Sequence, residues 1–438
     1  MEASNGVFRF TAAEHRILAG VSNSTSMGNA LRNYWFPACL SEELPEPDSP
    51  PVRTKLLGEP LVAFRDSGGA VGLLNEFCPH RGSSLFFGRN ADGGLQCLYH
   101  GWKFNVGGDC IENPTSPGLV GRPEVAQTAY PTCEAGGIVW AYLGDAARLP
   151  PLPDLGYLKV DEARRYVSKR LQPCHWLQAL EADIDSSHVP YLHREELLEE
   201  PDHPLVRNIL EETAPYFEVV DTDYGLMIGA RRDFGEDAYY WRVNHWLAPC
   251  YTVVPAESTT EVRKIHAWIP IDETTTWVYG LTWHPDRDLT EEELEQYTAG
   301  TGGIYAEKLP GTYLAVRNLA NDYLVDRAAQ SAGTIWSGIT GNQEQDDMAT
   351  ASMGPAYDRS KETLVGTDGG VIATRQALLS SSADAASGRP VVGVEGSGYD
   401  APGVSVVLPR DADWVAEIRT MMAGGTSHVA MATGGLDS

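Results

Sequence analysis

Two short cysteine–histidine pairs constrain this chain more than any other feature. Cys78-Pro79-His80 is separated by sixteen residues from Cys97-Leu98-Tyr99-His100. Each pair supplies one thiolate and one imidazole, and four such ligands on two short loops fit a zinc ion or an iron–sulfur cluster. The chain must therefore fold so that two loops meet at one metal centre.

The residues that follow each pair distinguish an iron–sulfur cluster from a zinc ion. His80 precedes Arg81-Gly82, and His100 precedes Gly101-Trp102-Lys103-Phe104. Glycines let the backbone approach a cluster whose sulfurs accept amide hydrogen bonds. The whole string resembles the Rieske [2Fe–2S] motif, in which two cysteines hold one iron and two histidines the other. The resemblance implies a cluster that passes single electrons, bound by Cys78, His80, Cys97 and His100.

Strand and turn signals surround these pairs. Asp66-Ser67-Gly68-Gly69 separates two apolar runs and predicts a hairpin, while residues 137–143 are rich in the side chains that strands favour. The proline-rich segment at 150–153 interrupts regular structure and marks a boundary. We therefore expect four parts in the chain. They are a helical N-terminal arm over 1–34, a small antiparallel β domain over 35–152, a larger domain over 153–422 and a flexible tail over 423–438.

A second group of metal-ligand side chains follows that boundary. On an ideal helix Asp185 and His188 would share a face, whereas His193 would lie about 140° round from His188. A regular helix would keep the two imidazoles apart. Pro190 lies between them, and we expect it to kink or break the helix so that they converge. Two histidines and one carboxylate with open positions are the triad of non-heme Fe(II) enzymes that activate O₂.

Together the two groups resemble the Rieske non-heme iron oxygenases, in particular the large (alpha) subunits of the phthalate-dioxygenase-like branch. The resemblance extends from about Gly28 to Asp413. It implies an α+β fold, with an antiparallel β Rieske domain and a catalytic domain whose antiparallel sheet is packed by helices in a helix-grip, START-like arrangement. It also implies one [2Fe–2S] cluster and one mononuclear Fe(II) per subunit.

The same resemblance assigns roles to the second group. His188 and His193 would hold the iron, and Asp185 would bridge an iron histidine and a cluster histidine as the path for electrons. The third ligand would be an aspartate in a Q-D segment that precedes M-G-P. Gln345-Asp346 stands before residues 353–355 at that spacing, so Asp346 is the first choice. The adjacent Asp347 is an alternative.

The implied activity is that of a terminal oxygenase, in which O₂ and supplied electrons hydroxylate an aromatic acid such as a phthalate- or benzoate-type compound in aromatic catabolism. Cis-dihydroxylation is the first reading, and O-demethylation or monooxygenation of an aryl-ether acid is the alternative. A pure Rieske electron carrier would need only the cluster. The resemblance further implies a homotrimer or a stacked hexamer.

Electrons must come from another protein. The sequence shows no Gly-x-Gly-x-x-Gly after a strand and no four-cysteine ferredoxin spacing. A separate NAD(P)H-dependent reductase is therefore implied, and in this branch it carries flavin and a [2Fe–2S] cluster.

Charge sets the remaining expectations. With 33 Lys+Arg against 60 Asp+Glu, the net charge of −27 disfavours nucleic acid and membrane partners. The absence of a signal pattern at the start predicts a cytoplasmic protein, and the family resemblance implies a bacterial one. An anionic substrate would need a local cation in so acidic a chain. Arg242 and Asn244, on one face of an expected strand, are candidates, and Arg207 is a second candidate.

Overall fold

The structure is a computed structural model that describes residues 6–255, 262–423 and 430–431. The chain separates into two compact units. The smaller unit comprises residues 20–153 and 269–272, and the larger comprises 1–19, 154–268 and 273–438. The expected N-terminal arm over 1–34 is thus divided between the two units. Most of the expected tail over 423–438 lies outside the described residues.

The helices and strands have the following bounds. The helices are α1 (Ala12–Ala19), α2 (Ser26–Leu31), α3 (Trp176–Ile184), α4 (Val189–Leu192), α5 (Arg194–Leu197), α6 (Pro204–Glu211), α7 (Glu291–Ala299), α8 (Arg327–Ala332), α9 (Asn342–Ser352), α10 (Gly369–Ala386) and α11 (Trp414–Ala423). The strands of the smaller unit are β1 (Trp35–Leu40), β2 (Val52–Leu56), β3 (Glu59–Arg65), β4 (Val71–Asn75), β5 (Arg89–Ala91), β6 (Gly94–Gln96), β7 (Lys103–Phe104), β8 (Cys110–Glu112), β9 (Ala129–Tyr130), β10 (Thr132–Ala135) and β11 (Ile138–Tyr142). The strands of the larger unit are β12 (Arg165–Gln172), β13 (Tyr216–Thr222), β14 (Gly225–Phe234), β15 (Ala238–Leu247), β16 (Tyr251–Val253), β17 (Arg263–Pro270), β18 (Thr276–Trp283), β19 (Val404–Pro409) and β20 (Ala430–Met431).

The smaller unit is built from three antiparallel sheets, with strand orders β1-β11-β10, β2-β3-β4-β9 and β5-β6-β7-β8. The predicted hairpin is confirmed, because β3 and β4 pair across Asp66-Ser67-Gly68-Gly69. Asp66 Oδ1 accepts hydrogen bonds from the backbone N–H of Gly68 and of Ala70, each at 2.9 Å. Gly69 has a φ of +88°, which glycine adopts without steric cost. The turn chemistry therefore sets the register of these two strands.

The larger unit is organised around a nine-stranded sheet with the order β12-β18-β17-β16-β15-β14-β13, in which β19 pairs with β15 and with β20. Helix α3 packs against β15, β16 and β18, and α10 packs against β13 and β14. The mixture of a mainly antiparallel sheet and packed helices confirms the expected α+β fold. No helix in the described ranges is long and apolar enough to cross a membrane.

Three local expectations have different outcomes. The capping box at Thr290 and Glu293 begins α7 as its sequence predicts. The residues from Ala163 to Leu192 predict helical stretches, but residues 165–172 form β12 and the first helix of this region is α3. Trp277, Tyr279, Leu281 and Trp283 recur at period two and predict a strand that buries one face. Both faces of that strand, β18, are largely buried instead.

Candidate metal centres

The two cysteine–histidine pairs lie on two similar tight loops of the smaller unit. In the first, the Cys78 N–H donates to Ser83 O at 2.9 Å and the Gly82 N–H donates to Cys78 O at 2.9 Å. In the second, the Cys97 N–H donates to Trp102 O at 2.8 Å and the Gly101 N–H donates to Cys97 O at 2.9 Å. Gly82 and Gly101 have φ values of +74° and +78°. Both glycines are therefore needed for the backbone to turn back after each histidine.

The four side chains on these loops converge as a cluster requires. The rings of His80 and His100 have centroids 4.4 Å apart, and His80 stacks on Trp102 at 4.7 Å. His80 Nδ1 is buried and has no hydrogen-bond partner among the described residues, so the nitrogen is available to a metal. Burial raises the pKa of the Cys78 thiol to about 11, with Cys97 adding to the rise, although backbone N–H groups of His80 and Arg81 partly offset it. A cationic iron would supply the charge that a buried thiolate needs.

The second centre begins where α3 ends. Asp185 follows α3 in an extended conformation, so the predicted helical face shared by Asp185 and His188 does not form. His188 precedes the single turn of α4 and His193 follows it. Pro190 occupies the second position of that turn, where its missing N–H has no helical partner to lose. The expected kink is therefore absent, and the two histidines converge because they flank one short turn.

Three ligand atoms meet at this point. His188 Nε2 lies 3.1 Å from His193 Nε2. Asp346 Oδ1 lies 3.2 Å from His193 Nε2 and 3.6 Å from His188 Nε2. Ligands that bind one metal at about 2.1 Å and at right angles are about 3 Å apart, so these distances suit three ligands on one face of an ion. Asp346 Oδ1 is buried and makes no hydrogen bond to a described residue, as expected of an oxygen that faces a metal.

The alternative ligand Asp347 faces another part of the structure. Its Oδ2 accepts from Arg170 NH1 at 2.5 Å, and its Oδ1 accepts from Gln343 Nε2 at 3.1 Å. Arg170 and Asp347 are both buried, so they form an internal ion pair. Since both oxygens of Asp347 have partners, the geometry favours Asp346 as the third ligand.

Gln345, which was named only as part of the Q-D motif and was given no role, orients one of the histidines. Its Nε2 donates to Ile339 O at 2.9 Å and to Ser337 Oγ at 3.2 Å, so its Oε1 must be the atom that accepts from His193 Nδ1 at 2.8 Å. His193 therefore keeps a proton on Nδ1 and presents Nε2 to the site, where a bound metal would take the place of any Nε2 proton. Burial alone would lower the pKa of His193, but Asp346 and Gln345 outweigh it and raise the pKa to about 9.

Asp185 contacts the other histidine. Its Oδ2 lies 3.4 Å from His188 Nδ1, while its Oδ1 accepts from the Ser187 backbone N–H at 2.7 Å and from the Ser187 hydroxyl. Burial raises the pKa of Asp185, but the hydrogen bonds from His188 and Ser187 outweigh it, so the net shift is downward. An ionised Asp185 orients His188 as Gln345 orients His193.

A cavity of about 370 Å³ opens beside the three ligands. Arg242 reaches its wall, where NH1 donates to Ser186 Oγ at 3.1 Å and to Asn244 Oδ1 at 3.2 Å. Asn244 in turn donates to Asp183 O at 2.5 Å, so the two residues brace the segment that follows α3. Arg207 does not line the cavity; it is exposed and lies 3.6 Å from Asp202. The structure thus brings Arg242 near the site and leaves Arg207 away from it.

Sequence reasoning also missed a polar wall of the cavity. His266 Nδ1 donates to Asp183 Oδ2 at 2.7 Å, and the hydroxyl of Thr252 donates to the same oxygen at 2.5 Å. Trp268 Nε1 donates to Thr252 Oγ1 at 2.8 Å, so the hydroxyl of Thr252 directs its own hydrogen toward Asp183. Lys264, His266 and Trp268 alternate along β17, and this period-two pattern is the signal that could have placed them on one face.

The chain resembles known proteins over most of its length. The Rieske [2Fe-2S] domain family matches residues 34–128, and the family described as "LigXa C-terminal domain like" matches residues 141–430. The 3-chlorobenzoate-3,4-dioxygenase oxygenase subunit of Comamonas testosteroni is 36% identical over 91% of this chain and 95% of that protein. The phthalate 4,5-dioxygenase oxygenase subunit of Pseudomonas putida is 34% identical over 92% of this chain and 94% of that protein.

More distant proteins share the architecture. The 5,5'-dehydrodivanillate O-demethylase oxygenase subunit of a Sphingobium species is 27% identical over 84% of this chain and 80% of that protein. Dicamba monooxygenase bound to dicamba has a TM-score of 0.54 at 19% identity, covering 82% of this chain and 99% of that structure. The oxygenase and ferredoxin complex of carbazole 1,9a-dioxygenase gives 0.55 at 21% identity, covering 83% of this chain and 90% of that chain. These two structures support the fold.

The family membership excludes the zinc and electron-carrier alternatives. Oxygenase subunits of this family contain a Rieske [2Fe–2S] cluster and a mononuclear non-heme iron, and both ligand groups fit these cofactors. Such subunits work with separate electron-transfer partners. The chain belongs to the Rieske non-heme iron oxygenases, as an oxygenase subunit in which a Rieske domain precedes a LigXa-like C-terminal domain.

Proposed function

We propose that this chain is the terminal oxygenase that cis-dihydroxylates an aromatic carboxylate of the phthalate or benzoate type. The observation that carries the proposal is the meeting of His188, His193 and Asp346 at the wall of a cavity of about 370 Å³. A cavity of that size holds a single-ring substrate. The two most similar relatives described above are dioxygenase subunits named for chlorobenzoate and phthalate, which supports an aromatic acid.

In this proposal Cys78, His80, Cys97 and His100 hold the cluster, and His188, His193 and Asp346 hold the iron. When bound, the cluster supplies single electrons and the iron supplies O₂ activation. The three ligand residues also line the cavity, so an iron held by them would have access to a substrate bound there. Gln345 keeps His193 in the tautomer that presents Nε2. The hydrogen-bonded side chains of His266, Asp183 and Thr252 form a polar wall beside the substrate.

We further propose that Asp185 carries electrons between subunits of a homotrimer or of two stacked trimers. Its Oδ2 accepts from His188 at 3.4 Å, and its side chain is 24% exposed, so an imidazole N–H of a neighbouring subunit could reach it. On the cluster side, Leu98 and Tyr99 next to His100 are 68% and 55% exposed, which supports a protein contact at that loop. The donor to the cluster would be a separate NAD(P)H-dependent reductase with flavin and a [2Fe–2S] centre.

We place the enzyme in a bacterial cytoplasm. Each of the seven cysteines is free of a disulfide, and two of them belong to the cluster loops, which supports a reducing compartment.

The test is product analysis under ¹⁸O₂. The purified protein, a surrogate reductase and NADH are incubated with benzoate, 3-chlorobenzoate and phthalate. Dihydroxylation predicts a cis-diol with label in both hydroxyls and no product from a His188→Ala variant that retains the cluster. Unlabelled product, or product from His188→Ala, would contradict the proposal.

O-demethylation is the second candidate, because the O-demethylase subunit from Sphingobium resembles this chain over 84% of its length. A methoxybenzoate would then yield formaldehyde and a phenol. Formaldehyde formed from methoxybenzoates, together with no diol from unsubstituted acids, would favour this reaction over dihydroxylation.

A further inference from the structure

Lys264 lines the same cavity as the three proposed iron ligands. It lies on β17 two residues before His266, so both side chains leave the same face of the strand. Within the described ranges its ammonium makes one hydrogen bond, to Gly302 O at 3.1 Å, and no carboxylate lies within 4.0 Å of it. An ammonium has three N–H donors, so donors remain for a ligand.

The other cations of the cavity have protein partners. Arg242 NH1 donates to Ser186 and Asn244, and Arg263 NH1 lies 3.4 Å from Asp400 Oδ1. Among the described Lys and Arg side chains that line the cavity, Arg242 donates to two side chains and Arg263 lies beside a carboxylate, whereas Lys264 donates one hydrogen bond, to a backbone carbonyl. Burial lowers the pKa of Lys264, although Glu196 and Glu293 act in the opposite direction. Because the ammonium of Lys264 is half-buried and has no described carboxylate close to it, an added anion would stabilise its charge strongly.

Acidic side chains make such a cation necessary for an anionic substrate. The cavity is lined by the carboxylates of Asp183, Asp185, Glu196, Glu199, Glu200, Asp346 and Asp400. A substrate carboxylate is repelled by these groups unless a positive charge lies where it binds. Gly303, with a φ of +80°, leaves room at that position, because a β-carbon there would lie 3.3 Å from Lys264 Nζ.

We propose that Lys264 binds the carboxylate of the substrate, and that the substrate is an aromatic monocarboxylate. This inference rests on the proposed function and narrows its substrate class. One ammonium neutralises one carboxylate, and lysine acts as a point charge and not as a two-pronged clamp. The second carboxylate of a diacid such as phthalate would face the acidic wall.

The experiment compares holoenzyme variants by isothermal titration with benzoate, benzamide and phthalate, with turnover measured in parallel. Lys264→Met should raise the Kd for benzoate by about 10- to 100-fold, the effect of losing one charged hydrogen bond. The Kd for benzamide should stay within about twofold, and Lys264→Arg should restore part of the benzoate affinity. Lys361→Met is the matched control, because Lys361 is 73% exposed, pairs with Asp358 and lies outside the cavity.

The outcomes distinguish three claims, which are the role of Lys264, the monocarboxylate assignment and the proposed function. Unchanged benzoate affinity in Lys264→Met, with iron content and visible absorbance intact, would overturn the role of Lys264. Wild-type binding of phthalate as tight as that of benzoate would overturn the monocarboxylate assignment, and a wild type that binds no benzoate would overturn both. Binding of benzoate without any oxygenated product would contradict the proposed function alone, and the Lys264 comparison would still be read from the Kd values.

Discussion

Gln345 Oε1 lies 2.8 Å from His193 Nδ1, and this contact decides which ring nitrogen faces Asp346. The amide cannot turn over, because its Nε2 already donates to Ile339 O and Ser337 Oγ. Gln345 lies on α9 directly before Asp346, and it therefore fixes the tautomer of the proposed ligand His193.

Replacing Gln345 should weaken the mononuclear site without touching the cluster. Gln345→Leu removes the acceptor that holds the Nδ1 proton of His193, and loss of such a partner typically costs 10- to 100-fold in metal affinity. We expect a matching rise in the Kd for Fe(II), measured by competition with a chelator. Visible absorbance of the Rieske cluster is the internal control, and unchanged iron affinity would show that Gln345 does not orient the ring.

Asp185→Asn should separate electron transfer from metal binding. Asparagine keeps the shape of the side chain but has one acceptor oxygen, so it cannot accept from two imidazoles as a carboxylate can. Cluster and iron contents should remain at wild-type levels while product formation falls by at least 100-fold. Normal turnover in this variant would remove Asp185 from the electron path.

The buried arginine Arg375 should be a main source of stability in the larger unit. Arg375 Nε donates to Glu181 Oε1 at 2.6 Å, NH2 donates to Glu181 Oε2 at 2.8 Å, and NH1 pairs with Glu362. Arg375→Met removes the closest cation from two largely buried carboxylates and should lower the free energy of unfolding by about 3–5 kcal/mol. Arg389→Met, which breaks the exposed pair with Asp384, should cost below about 1 kcal/mol in the same urea titrations. Equal losses in the two variants would contradict this assignment.

His245 should make the folded state less stable in acid. Its Nε2–H donates to Pro402 O at 3.0 Å and its Nδ1 accepts from the Tyr224 hydroxyl at 2.8 Å, so the ring is held neutral. Burial lowers its pKa from 6.5 to about 4, although the Pro402 carbonyl acts in the opposite direction. Between those pH values the unfolded chain binds a proton that the folded chain does not, so stability falls as the pH falls.

The size of this effect follows from the shift. A difference of about 2.5 pKa units corresponds to about 3 kcal/mol, present in full above pH 7 and lost by about pH 4. The difference in unfolding free energy between wild type and His245→Gln should shrink by that amount over this interval. A difference that stays constant with pH would show that His245 is not held neutral.

The structure brings together the candidate ligands that short motifs predicted, because each motif contains ligand side chains beside the residues that shape their loop. The loops at Cys78 and Cys97 needed only their glycines and their pairing, and the structure forms both turns. The predicted kink at Pro190 is absent, because a proline is tolerated in the first turn of a helix and α3 already ends at Ile184.

The residues that line the cavity could not be predicted from short-range patterns, for a physical reason. Lys264 and His266 reach the site through the order of strands in the sheet and not through spacing along the chain. Arg242 lines the cavity, but its hydrogen bond to Ser186 joins residues that are distant along the chain and could not be predicted from spacing. Sequence spacing cannot report which donors remain unpaired after packing.

The most direct test of the account compares two adjacent aspartates. Asp346 Oδ1 faces the two histidines, whereas Asp347 pairs with Arg170. Wild type should contain three irons per chain, two in the cluster and one at the triad. Asp346→Asn should retain two and lose the S = 3/2 EPR signal that nitric oxide gives with mononuclear Fe(II), while Asp347→Asn should keep three and the signal. Full iron and signal in Asp346→Asn, or their loss in Asp347→Asn alone, would contradict the account.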